Sequence, residues 1–130
     1  MTIHVNAITV DVKNLALMKH FYTEKFGLEV ISENEKVTIL KLDNLLLTLC
    51  EEALFNQYAN ISNRAGGKGF YLTINLPSKY EVDERFAELR NGGIQISRQP
   101  ELAFWGGYSG FVADPEGNSW EICYNPYAGN

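Results

Sequence analysis

Glu121 stands in the run Ser119-Trp120-Glu121-Ile122-Cys123-Tyr124, a carboxylate between two apolar neighbours. An acid in such a setting has two uses. It can hold structure through a hydrogen bond to Ser119, Thr48 or a backbone group. Alternatively it accepts a hydrogen bond or a proton from a bound molecule, with burial raising its pKa. Few other residues could share that chemistry. Cys50 and Cys123 are the only cysteines and lack C-x-x-C spacing, which leaves neither a disulfide framework nor a zinc ribbon. With no base or cation evident beside them, inert buried thiols are favoured over nucleophiles. His20 falls in a helical stretch beside Phe21 and Tyr22 and reads as solvated or capping. Trp105 precedes Gly106-Gly107, where the backbone can bend. Its indole fits either the mouth of a ligand cavity or an ordinary core.

The elements that must carry these residues follow from periodicity. Residues 3–12 alternate as a strand, with Ile8, Val10 and Val12 on one face. Leu15–Phe26 changes to helical spacing, with Asn14 as N-cap and Gly27 as stop. Strands follow at Leu28–Ser32, Lys36–Leu42 and Leu45–Cys50, the last two joined through Asp43-Asn44. A short helix at Glu52–Tyr58 then leads into a Ser, Asn and Gly-rich connector. The second half repeats the order. A strand alternates through Phe70, Leu72, Ile74 and Leu76, and Pro77 ends it. Ser78 with Glu81 has capping-box spacing before the helical stripe Val82, Phe86 and Leu89, which Gly92-Gly93 stops. Strands at Ile94–Ser97, Tyr108–Ala113 and Ser119–Tyr124 complete it. Laying Leu47-Thr48-Leu49-Cys50 on Trp120-Glu121-Ile122-Cys123 superposes both cysteines, which supports a duplicated module.

Bulk properties narrow the class. A length of 130 residues with 45% hydrophobic content suits one domain with a real core, and no apolar run is long enough for a membrane span. The net charge of −5 without a Lys/Arg cluster argues against nucleic acid. No secretory signal is visible at Met1-Thr2-Ile3-His4, so a cytoplasmic location is the expectation.

Two stretches carry a likeness. Val10-Asp11-Val12-Lys13-Asn14-Leu15, followed by Phe21-Tyr22 and Phe26-Gly27, resembles the opening of vicinal oxygen chelate proteins, the glyoxalase, bleomycin-resistance and extradiol dioxygenase group. Trp105-Gly106-Gly107-Tyr108-Ser109-Gly110, then Asp114-Pro115-Glu116-Gly117-Asn118 and Trp120-Glu121, is similar to the closing hairpin of that superfamily. The resemblance implies an α+β fold of two βαβββ modules forming a cup-shaped, partly open barrel with helices outside. It places one glyoxalase-like domain over 1–130, with module 1 at about 1–58, a connector at about 59–67 and module 2 at about 68–130. The alternation agrees: Leu45, Leu47, Leu49, Leu72, Ile74, Trp120 and Ile122 form apolar stripes. Ala7, Thr9, Thr48, Cys50, Gly69, Tyr71, Thr73, Ser119, Glu121 and Cys123 form the smaller, more polar face.

Metal-dependent members present ligands at four inward strand positions, and the resemblance carries these onto Ala7, Thr48, Gly69 and Glu121. Only Glu121 is a strong ligand, so no metal and no cofactor are expected. His4, three positions before Ala7, needs a bulge to face inward. The expected function is binding of a small planar or amphipathic molecule by Trp105, Tyr71, Thr48 and Glu121. The alternative is a lyase, isomerase or dioxygenase, metal-dependent or with Glu121 as its catalytic group. A vestigial pocket in an interaction module is a third reading. Open sheet edges and the family's habit predict a homodimer. Sedimentation only as a 14.7 kDa monomer contradicts it.

Overall fold

The computed structural model describes residues 7–59, 70–103 and 105–127. The expected strand residues 3–6, with His4, the connector residues 60–67 and the metal-position candidate Gly69 lie outside the described residues. The chain divides into two compact units, Met1–Gly67 and Lys68–Asn130.

In the first unit β1 (Ala7–Val12) leads into α1 (Leu15–His20). Asn14 caps it as expected: its Oδ1 accepts from Leu17 N at 3.0 Å. The helix does not run uniformly to Phe26. Phe21–Lys25 widens into a π-helical turn, within which the Thr23 hydroxyl donates to the Lys19 carbonyl at 2.9 Å. A side chain that engages a carbonyl four residues back competes with the helical ladder, a recognised cause of local distortion. Gly27, at φ 69°, then ends the segment. The strands β2 (Glu29–Glu33), β3 (Val37–Lys41) and β4 (Leu46–Glu51) and the helix α2 (Glu52–Ala59) complete the unit. The sheet order is β1-β4-β3-β2, with β1 parallel to β4 and the other pairs antiparallel.

The second unit repeats this plan. It runs β5 (Leu72–Asn75), α3 (Lys79–Asn91), β6 (Gln95–Leu102), β7 (Tyr108–Ala113) and β8 (Ser119–Tyr124), in sheet order β5-β8-β7-β6. Ser78 caps α3 by accepting from Glu81 N at 3.2 Å. Its own hydroxyl donates to Glu81 Oε2, so the box closes between side chains. The duplication is visible in the pairing. Thr48 lies opposite Thr9 and Ile39 just as Glu121 lies opposite Thr73 and Phe111. Cys50 faces Asp11 and Val37 where Cys123 faces Asn75 and Ser109. The two units are therefore α+β modules of the βαβββ kind, each built on an open four-stranded sheet that is not closed into a barrel.

Period-two alternation separates two faces in each sheet. Leu40, Leu47 and Leu49 are buried with Met18, Phe21 and Tyr22 of the first helix. In the second unit Val112, Trp120 and Ile122 are buried with Val82, Phe86 and Leu89 of α3. Full burial of one such side chain contributes about 1.5–3 kcal/mol, so this face of each sheet sets the register of the other. Both thiols are buried on the opposite faces. Burial pushes the Cys50 thiol above the ordinary range, with the charges of Glu51 and Asp11 adding to it; burial and then Glu121 do the same for Cys123. A raised thiol pKa in the folded state contributes stability below the unfolded value and loses it as pH rises through the folded one. Thermal stability is therefore expected to fall above about pH 8.5, and both thiols to react with a disulfide reagent only as fast as the chain unfolds. Rapid stoichiometric labelling of the native protein would contradict this.

Candidate functional site

The site-bearing face is the one turned away from α3. Its central row crosses the whole second sheet, because Thr73 pairs with Glu121, Glu121 with Phe111, and Phe111 with Arg98. Neighbouring strands stand about 4.8 Å apart, so four side chains from four strands line up on one surface. The Glu121 carboxylate accepts from the Thr73 hydroxyl, Oγ1 to Oε1, at 3.0 Å. The Tyr71 ring meets the Phe111 ring edge-on, with centroids 5.0 Å apart and planes at 85°. Tyr71 is 52% exposed, so one aromatic surface faces outward beside the carboxylate. Arg98 lies over the Phe111 ring, its guanidinium carbon 5.2 Å from the ring centroid.

Arg98 and Phe111 were not among the expected site residues. Phe111 was within reach of the alternation: Ser109 and Phe111 share one face of β7, with Gly110 and Val112 on the other. Arg98 was not. Period two puts it with Ile96, which pairs with Val112 on the core face. The ladder then jumps from Ile96–Val112 to Arg98–Phe111, so Ser97 is the extra residue of a bulge that turns Arg98 to the other face. A second bulge follows. Arg98 pairs with Phe111 and Glu101 with Ser109, leaving Gln99 and Pro100 opposite Gly110 alone. Proline is tolerated there because a bulge leaves a residue outside the ladder. These two irregularities also explain why β6 reaches Leu102 where alternation alone stops near Ser97.

Of the four expected ligand-binding residues, the structure brings Tyr71 and Glu121 together around Phe111. Thr48 is in the first unit, on β4, half-buried between Thr9 and Ile39. Trp105 occupies the turn between β6 and β7, and its ring lies so close over Gly107 that a Cβ there would overlap it. That contact gives the Trp-Gly-Gly sequence a packing reason. Next to it, Gly106 takes φ 99° with the Tyr127 ring against it. His20 is exposed at the end of α1. A hollow of about 330 Å³ opens at the β3–β4 hairpin, lined by Ile31, Lys41, Asp43 and Leu45 among others, and includes none of the candidate residues.

The metal positions fit poorly. The strand register makes Tyr71, two residues before Thr73, the counterpart of Ala7, two residues before Thr9. Ala7 offers no donor, and a hydroxyl and a phenol are weak neutral ones, so Glu121 stands as a single strong oxygen ligand. Among the described residues no three His, Cys, Asp or Glu side chains gather in a group able to hold a metal ion. No described helix is long and apolar enough to cross a membrane.

A model of the Glyoxalase/Bleomycin resistance protein/Dioxygenase superfamily matches residues 4–122. No curated protein matches the chain. Among solved structures, a glyoxalase-related enzyme from Fulvimarina pelagi is similar at 26% identity and TM-score 0.84, over 95% of this chain and 88% of that one. A glyoxalase/bleomycin resistance protein/dioxygenase from Nocardioides shares 20% identity at TM-score 0.85, over 100% and 88%. Lactoylglutathione lyase from Agrobacterium tumefaciens shares 21% at TM-score 0.76, over 98% and 97%. The last two likenesses are ones of fold.

Proposed function

The chain belongs to the glyoxalase/bleomycin resistance protein/dioxygenase superfamily, and we propose that it binds a small planar or amphipathic molecule, without a metal ion, on the polar face of its second sheet. The observation that carries this reading is the Glu121–Phe111 pair in the cross-sheet row, flanked by Thr73 and the outward ring of Tyr71. An aromatic surface beside a hydrogen-bonded carboxylate suits a flat ligand with a donor or positive charge at one end. Thr73 orients the acid by engaging Oε1, and no hydrogen bond from the described residues engages Oε2. Thr48, expected from its inward register, belongs to the first unit, and Trp105, expected from its Gly-flexed loop, packs on Gly107, so this reading rests on the residues of the second sheet.

The open Oε2 also favours a second reading, in which Glu121 moves a proton in a metal-independent lyase or isomerase. That the similar Fulvimarina pelagi structure is of a glyoxalase-related enzyme supports an enzymatic reading, without bearing on the metal. Ligands found by thermal-shift screening, measured by calorimetry at one pH, separate binding roles. Glu121→Gln is expected to weaken ligands that carry a donor or cation by roughly 1.5–3 kcal/mol, because it removes a charged acceptor. Tyr71→Ala should weaken apolar aromatic ligands by about 1–2 kcal/mol through lost contact area. Hits indifferent to both substitutions would show that the face is not the site.

A further inference from the structure

The row across the second sheet has a cation at its far end. We propose that Arg98 is an anion anchor for the same ligand, that Glu101 occupies it in the ligand's absence, and that the ligand is an aromatic molecule with an acid group at one end and an amine or other donor at the other. This rests on the binding role of the face given above and adds the ligand's charge pattern.

The bulges supply the first reason. Arg98 and Glu101 are three residues apart, and in a regular strand they would point to opposite faces. The extra residue between them brings both onto the face of Phe111 and Ser109, where Arg98 Nη1 pairs with Glu101 Oε1 at 2.9 Å. The guanidinium is fixed from behind, since Nη2 donates to the buried Ser109 hydroxyl at 2.9 Å. The hydrogen bond to Ser109 uses one of five guanidinium donors and the ion pair engages a second nitrogen, in a planar fork suited to a carboxylate.

The second reason is how easily Glu101 exchanges. Its side chain is 65% exposed and that of Arg98 34%, so water screens the pair and the pair adds little stability. A ligand carboxylate that also gains contact with Tyr71 and Phe111 can replace Glu101 on Arg98. Spacing is the third reason. Arg98 and Glu121 belong to β6 and β8 with β7 between them, which separates their backbones by about 10 Å. A flat ligand laid along the row over Phe111 can therefore span from one group to the other, with a hydrogen bond of about 3 Å at each end. Opposite charges at the two ends would also fix the ligand's direction.

The full chain can be titrated near neutral pH with 4-(aminomethyl)benzoate, benzylamine and benzoate. The first is expected to bind at least about fivefold more tightly than either singly charged probe. Arg98→Gln should bring the affinity ratio of 4-(aminomethyl)benzoate to benzylamine to about one, and Glu101→Gln should raise it about two- to fivefold by freeing the anchor. Arg98→Lys, which keeps the charge without the fork, should retain part of the preference even where the Gln variant folds poorly. Acid-bearing probes indifferent to Arg98→Gln and Glu101→Gln would overturn the anchor, as would failure of all three probes to bind at about 10 mM. If the acid-bearing probes are indifferent to both substitutions while benzylamine still depends on Glu121, the underlying site survives and the anchor alone fails; if no probe responds to Glu121→Gln or Tyr71→Ala, the site itself fails.

Discussion

Asp114→Ala is expected to lower the stability of the chain by about 2–4 kcal/mol, roughly 10 °C in Tm. The carboxylate is 1% exposed and organises the β7–β8 hairpin. Its Oδ1 accepts from the backbone of Glu116 and of Asn118, each at 2.9 Å, and Oδ2 accepts from Asn118 Nδ2 at 2.6 Å. The turn is then closed by Asp114 N donating to Asn118 O and Gly117 N donating to Asp114 O, with Gly117 at φ 81°. Alanine keeps none of the side-chain bonds and leaves part-buried donors facing a small cavity. Asp114→Asn should fall between the two, since it retains one acceptor but turns an N–H toward a donor. The turn delivers β8 into register with β7, so Glu121 is placed by a residue seven positions earlier. Thermal or urea unfolding measures the effect, and a loss below about 0.5 kcal/mol would mean that the hairpin holds without this carboxylate.

Gly110→Ala should be similarly severe, about 2–3 kcal/mol, for a packing reason. A Cβ at Gly110 would lie 2.6 Å from Phe86 Cζ, 2.7 Å from the Arg98 carbonyl oxygen and 2.9 Å from Pro100 N. Two of those three atoms are backbone, so they cannot swing aside as the end of a flexible side chain does. The bulge at Gln99-Pro100 rests directly on this glycine. Forcing it outward would also displace Arg98, so the same variant should lose preference for acid-bearing ligands. A denaturation midpoint within about 0.5 kcal/mol of wild type would show that β6 does not depend on that approach.

Much of this architecture was legible in the sequence because its signals are local and repeat. Asn14, Gly27, Ser78 and Gly93 mark helix ends by mechanisms that act within four residues, and each does so in the structure. The alternation of Leu47, Leu49, Trp120 and Ile122 reports a one-sided core, and those four side chains are buried. The overlay of Cys50 on Cys123 coincides with the strand pairing of both units. The site was legible only where alternation is regular. Glu121 and Thr73 fall on one face by simple counting. Arg98 does not, because a bulge reverses the count and nothing in Ile96-Ser97-Arg98-Gln99-Pro100 beyond the proline signals where the extra residue sits. The π-helical turn at Phe21–Lys25 escaped for a related reason, since the apolar spacing of Leu15 to Phe26 fits a continuous helix.

On the proposed function, the polar face of the second sheet binds its ligand with side chains alone. Amide chemical-shift mapping of the isotopically labelled chain, titrated with a screened ligand in excess chelator, tests it most directly. The shifts are expected to cluster at Tyr71, Thr73, Phe111 and Glu121, with the affinity the same before and after chelation. Binding that disappears on chelation and returns with one divalent ion per chain, or shifts that gather away from this face, would contradict it.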